Sequence, residues 1–147
     1  MGPLTLPTGG LVYIDANVII YSVEHVEPYS DLLAPMWEEA KAGRFSLASS
    51  ELVAFETLVR PLRDGNARLE MLFRSILAAT EMDLIPTSLA TWEDAAHIRA
   101  ATGLATPDAL HAATALRAGC AAFITNDTDF RRVQDLPLIV LDDLIEA

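Results

Sequence analysis

The chain is poor in cysteine, in positive charge and in long apolar runs. One cysteine, Cys120, excludes an intrachain disulfide and a thiolate metal cluster, and it suits a reducing compartment, so a cytoplasmic location is expected. Ten Lys and Arg stand against 21 Asp and Glu, a formal net charge of −11. Such a balance repels nucleic-acid phosphate at long range, so any role on nucleic acid has to come from a local site. No apolar run approaches the roughly 20 residues of a membrane span, and the first ten residues lack a basic segment followed by an apolar one, so neither a membrane role nor export is expected.

What is present is material for one core: 147 residues, 52% of them hydrophobic, which excludes a disordered chain. Gly2, Pro3, Pro7, Gly9 and Gly10 predict a flexible leader over residues 1–10, with a single domain over residues 11–147. Leu11-Val12-Tyr13-Ile14 is continuously apolar and β-favouring, the pattern of a strand buried on both faces. Phe45–Ala48, Asp83–Ile85, Ala121–Thr125 and Leu138–Leu141 predict further strands. Between them, helices are predicted from Val18, over Tyr29–Ala42, from a Ser49 or Ser50 cap through Val59 to a stop or kink at Pro61, over Asn66–Thr80, and from Ser88 to Ala101. The strongest helix start is Thr106-Pro107-Asp108, a capping hydroxyl, a proline and a first-turn acid ahead of a stop near Gly119. This alternation predicts a three-layer α/β/α domain around a central parallel sheet of about five strands. In such sheets ligands sit beyond the carboxyl ends of the strands.

Four acids fall where that site forms: Asp15 after the first strand, Glu56 in the helix after the second, Asp108 in the first turn of its helix, and Asp127 after the fourth strand. Taken singly, each has an ordinary explanation. Asp15 can cap a helix, Glu56 can pair with Arg60 one turn on, Asp108 can complement a helix N-terminus, and Asp127 can make an Asx turn. Taken together, four carboxylates without His or Cys partners form a hard oxygen set suited to Mg²⁺ or Mn²⁺. His111, three residues after Asp108 and beside Ala112 and Ala113, reads as a satisfied interior or rim group rather than a general base.

The segments Val12–Asn17, Ser49–Glu56, Asp108–Ala115 and Thr125–Phe130 resemble, in order, the four motifs of the PIN-domain ribonucleases, and in particular the VapC-type toxins of toxin–antitoxin pairs. The resemblance implies a metal-dependent endoribonuclease in which Asp15, Glu56, Asp108 and Asp127 bind Mg²⁺ or Mn²⁺, with Asn17 and Thr125 as supporting polar positions. Asp129 lies at the motif's edge as a supporting residue or turn former. It further implies an RNA substrate, a homodimer and a cognate antitoxin whose arginine-bearing tail blocks the acidic site. Arg60, Arg63, Arg68, Arg74 and Arg99 are candidates to line an RNA groove. An aspartyl-nucleophile hydrolase fits poorly, because Asn17 stands where a second acid is needed, and a receiver-like module needs a late lysine where no Lys follows Asp83. The serious alternative is a catalytically silent PIN-type domain acting as a binding or structural module.

Overall fold

The computed structural model describes residues 2–146. Met1 and Ala147, the outer ends of the predicted leader and domain, lie outside the described residues. Five strands, β1 (Leu11–Ile14), β2 (Ser46–Ser50), β3 (Met82–Ile85), β4 (Ala122–Thr125) and β5 (Leu138–Val140), form an all-parallel sheet in the order β3-β2-β1-β4-β5. Helices α1 (Ala16–Val23), α2 (Tyr29–Lys41), α3 (Leu52–Asp64), α4 (Ala67–Leu77), α5 (Leu89–Thr102), α6 (Thr106–Ala118) and α7 (Leu141–Glu146) connect and follow the strands. The sequence's α/β class, with a five-stranded parallel sheet, is therefore the observed one.

Strand periodicity of two divides the core between the two faces of this sheet. Val12, Ile14, Leu47, Ala122 and Ile124 pack with Val18, Ile19, Leu33, Met36, Val53 and Phe73 from α1 to α4. Tyr13, Ala48 and Phe123 face the other way, against Ala95, Leu110, Ala113 and Phe130. The small residues of α6, buried continuously from Ala109 to Ala115, let that helix lie close on the sheet. Residues 2–10 form no helix or strand, yet the Gly2 amide donates to the Leu144 carbonyl at 2.6 Å, and Leu4 and Leu6 pack against the core.

Several local expectations are corrected. Pro61 does not end its helix: α3 runs on through Asp64 to Gly65, whose left-handed backbone (φ 65°) closes it. So near the carboxyl end, the missing amide forfeits a single bond, and the buried Pro61 ring packs instead. Ser49 and Ser50 complete β2, and Glu51 holds the cap position; the Ser49 hydroxyl donates to the Ile14 carbonyl, while the Ser50 hydroxyl accepts the Leu52 amide. Ala105, not Thr106, caps α6, and the Thr106 hydroxyl accepts from Arg99 at 3.1 Å. Leu141 begins α7 rather than ending β5, and a short 3-10 helix at Thr128–Arg132 was not foreseen.

Phe123 is the pivot of the second face, fully buried, stacked on Tyr13 at 5.0 Å and tilted against Phe130 at 4.8 Å. Phe123→Ala is expected to destabilise the fold by about 3–5 kcal/mol through lost contacts and the cavity left behind. Urea denaturation checks this; a loss under about 1 kcal/mol would mean that the aromatic stack contributes little.

Candidate functional site

The strand order reverses at β1, since the chain moves to β2 and β3 on one side and returns to β4 and β5 on the other. Such a reversal opens a crevice at the carboxyl ends of the two diverging strands. Asp15 directly follows β1 and Asp127 follows β4, so both stand at that crevice. Glu56 arrives on α3 and Asp108 on the first turn of α6. Asp15, Asn17, Glu56, Asp108, His111 and Asp127 line one small cleft of about 70 Å³.

Asp15 does cap a helix, as its position suggests: one carboxylate oxygen accepts the Val18 amide at 3.2 Å. Its other oxygen accepts the Thr125 hydroxyl from the end of β4. Only 6% of the residue is exposed, and burial pushes its carboxyl up to about 6, against the lowering effect of the Thr125 bond. Thr125 serves a second acid, because its hydroxyl oxygen accepts the Asp127 amide at 3.0 Å. Asp127 in turn caps the 3-10 helix by accepting the Asp129 amide at 2.9 Å. Asp108 is half-buried at a helix N-terminus; burial raises its carboxyl above the ordinary value, and the neighbouring charge of Asp127 raises it further.

One sequence expectation meets a different outcome and two others are narrowed. Glu56 does not pair with Arg60: its carboxylate meets His111 Nε2 at 2.6 Å, and Arg60 instead binds Glu24 at the end of α1. The helical partner lost to a closer acid on another element, while a buried imidazole took Glu56. Asp129 stays exposed outside the cleft, with its carboxylate on Arg132 at 3.0 Å, which makes it a turn former. None of Arg60, Arg63, Arg68, Arg74 and Arg99 lines the cleft. Arg63 and Arg74 pair with Asp64 and Glu70, and Arg99 binds the Leu104 carbonyl and Thr106.

Among the described residues, no three His, Cys, Asp or Glu side chains stand close enough to enclose an ion by themselves. The donor set nevertheless fits a hard divalent cation: four carboxylates around a small cleft suit Mg²⁺ or Mn²⁺, which retain several waters and need few protein oxygens. A larger cavity, about 550 Å³, lies between α1, α2 and α4 beside Trp37 and Leu72, but it holds none of the four acids. Size therefore does not choose the site; the concentration of buried charge does.

A family model described as the PIN domain matches residues 12–136, from the second residue of β1 past the 3-10 helix, and so includes all four acids. The chain belongs to the PIN-domain family. Its fold is similar to that of VapBC2 from Rickettsia felis, a complex bound to a promoter DNA fragment, with a TM-score of 0.71 and 18% identity over 88% of this chain and 98% of the other. VapC20 of Mycobacterium tuberculosis, a sarcin-ricin loop cleaving toxin, aligns with a TM-score of 0.68 and 15% identity over 82% and 92% of the two chains. FitAcB from Neisseria gonorrhoeae aligns with a TM-score of 0.65 and 17% identity over 87% and 96%. No curated protein sequence matches the chain.

The raised Asp15 carboxyl carries a stability consequence. Between its ordinary value of 3.8 and about 6, the folded metal-free chain binds a proton that the unfolded chain releases, so this group's favourable contribution is lost as pH rises through about 6. At neutral pH the charge costs up to about 3 kcal/mol. Asn at this position keeps an oxygen for the Val18 amide without the charge. Metal-free Asp15→Asn is therefore expected to melt a few degrees above the wild type at pH 7.5, with the advantage shrinking toward pH 4. Thermal melts in EDTA check this, and a lower melting temperature would make the carboxylate a structural element.

Proposed function

We propose that this PIN-domain protein is a metal-dependent endoribonuclease that hydrolyses RNA phosphodiester bonds and serves as the toxin of a toxin–antitoxin pair. The observation that carries this reading is the convergence of Asp15, Glu56, Asp108 and Asp127 on one cleft at the reversal point of the sheet. A PIN match across residues 12–136 and folds shared with toxin–antitoxin proteins support it.

In this reading Asp15, Glu56, Asp108 and Asp127 hold Mg²⁺ or Mn²⁺. A bound divalent ion supplies an activated water and offsets the charge of the phosphodiester transition state. The remaining work falls to the chain. Thr125 holds Asp15 through its hydroxyl and Asp127 through that residue's amide, so two acids keep one spacing. Asn17, exposed at the rim, offers an amide to the scissile strand or to bound water. In the metal-free chain burial raises both Asp15 and Asp108, with the charge of Glu56 adding at Asp15 and that of Asp127 at Asp108; a cation in the cleft would offset these like charges.

The partners follow from charge and surface. With a net charge of −11 and no arginine in the cleft, RNA is held locally rather than drawn in from a distance. The same acidity suits the arginine-bearing tail of a cognate antitoxin. Phe55, Val59 and Leu62 stand exposed at helical spacing along α3, apolar surface of the kind that a homodimer or an antitoxin covers. No helix among the described residues is long and apolar enough to cross a membrane, and a lone cysteine accords with the cytoplasm.

The test is cleavage of a total-RNA pool by the purified, partner-free chain in Mg²⁺ or Mn²⁺. Discrete fragments are expected, abolished by EDTA and reduced in Asp108→Asn by more than the roughly 10–100-fold typical of losing a group behind a metal ligand. Cleavage that survives both controls would overturn the metal mechanism. A folded chain that binds no Mn²⁺ would turn the assignment to a silent binding module.

A further inference from the structure

His111 is 1% exposed, and both of its ring nitrogens are engaged. Its Nδ1 lies 2.7 Å from the hydroxyl of Tyr13, which is buried in β1, stacked on Phe123 and edge-on to the imidazole with ring centroids 5.8 Å apart. The Tyr13 oxygen already accepts the Ser50 amide at 3.0 Å. The Tyr13 hydroxyl thus faces His111 Nδ1, while the Glu56 carboxylate, which can only accept, assigns the ring proton to Nε2. That nitrogen donates to Glu56 Oε1 at 2.6 Å. Burial pushes the Tyr13 phenol up, which keeps it a donor. A single chain of donors thus runs from the Ser50 amide on β2 through Tyr13 on β1 and His111 on α6 to Glu56 on α3.

An interior histidine is satisfied by any two partners. This one gives its outer nitrogen to a member of the acid cluster, and it lines the cleft itself. Glu56 has three side-chain torsions and is partly exposed, so left alone it samples many positions at an entropic cost to any ligand that orders it. Its second carboxylate oxygen has no hydrogen-bond partner among the described residues. We propose that His111, aimed by Tyr13, is a positioning residue that fixes one oxygen of Glu56 and leaves the other for the divalent cation. The inference rests on the metal-ribonuclease reading and adds to it a residue and a hydrogen-bond direction.

Titration calorimetry with Mn²⁺ on the purified chain tests it without RNA. His111→Leu is expected to weaken Mn²⁺ binding about 10–100-fold, the usual effect of removing a partner behind a ligand. His111→Gln, which returns an N–H near the Nε2 position, is expected to recover most of that loss. If His111 acts through Glu56, the double variant His111→Leu with Glu56→Gln binds no more weakly than Glu56→Gln alone. Wild-type affinity in His111→Leu, with weakened binding in Glu56→Gln, overturns the positioning role and leaves the metal reading standing. Losses that multiply in the double variant also overturn it. If the wild type binds no Mn²⁺, the metal reading falls and takes this inference with it. Should circular dichroism show His111→Leu unfolded, Tyr13→Phe carries the same comparison: a severalfold loss that vanishes in the Glu56→Gln background supports the chain of donors, and one that persists there overturns it.

Discussion

The bond from the Thr125 hydroxyl to Asp15 joins the ends of the two strands that diverge at the reversal point. Without it, the Asp15 carboxylate would sit nearly out of solvent with one backbone amide for support, a costly position for a charge. With it, the acid is held at the mouth of the crevice and Asp127 is spaced from it through the same oxygen. That one hydroxyl ties the acid that caps α1 to the acid that caps the turn after β4.

Charge sets the second constraint. Most of the chain's arginines are committed to nearby acids: Arg60 to Glu24, Arg74 to Glu70, Arg117 to Asp94, Arg131 to Asp143 and Arg132 to Asp129. These pairs are substantially exposed and contribute little to stability, and no lysine or arginine lines the cleft. A site so arranged tolerates a positive ligand far better than a negative one. On the proposed reading, a metal ion or an antitoxin arginine would relieve the repulsion, and RNA would need it relieved beforehand.

How much of this was legible in the sequence depended on whether the deciding contact was local. The five strands showed as short apolar runs because parallel strands bury both faces, and the four acids could be placed because each sits within two residues of a strand end or on a helix next to one. Glu56 was open to the wrong partner: Arg60 lies one helical turn away, whereas His111 lies 55 residues off and meets it only through the fold. His111 reads as an interior or rim group, and it is buried yet lines the cleft; its bond to Glu56 shows only once α3 and α6 are both packed on the sheet. Pro61 within α3 and the start of α7 at Leu141 were missed for a similar reason, since packing outweighed the local signal.

The contact between Glu56 and His111 also explains why the site draws on the whole domain. α3 packs through Val53 on the face of the sheet that carries Val12 and Ile14, and α6 packs through Leu110 and Ala113 on the face that carries Tyr13 and Phe123. The two helical layers meet over the carboxyl edge of β1 and β2, where no strand separates them, and the acids come from both. Repulsion among those acids therefore works against the packing of both layers at once, and it is the large apolar core on each side that holds them together. In a smaller fold, or one with helices on a single face, the same four carboxylates would push the elements apart. Here the sheet fixes their spacing, and the cation of the proposed reading would meet carboxylates that the fold has already brought to one cleft.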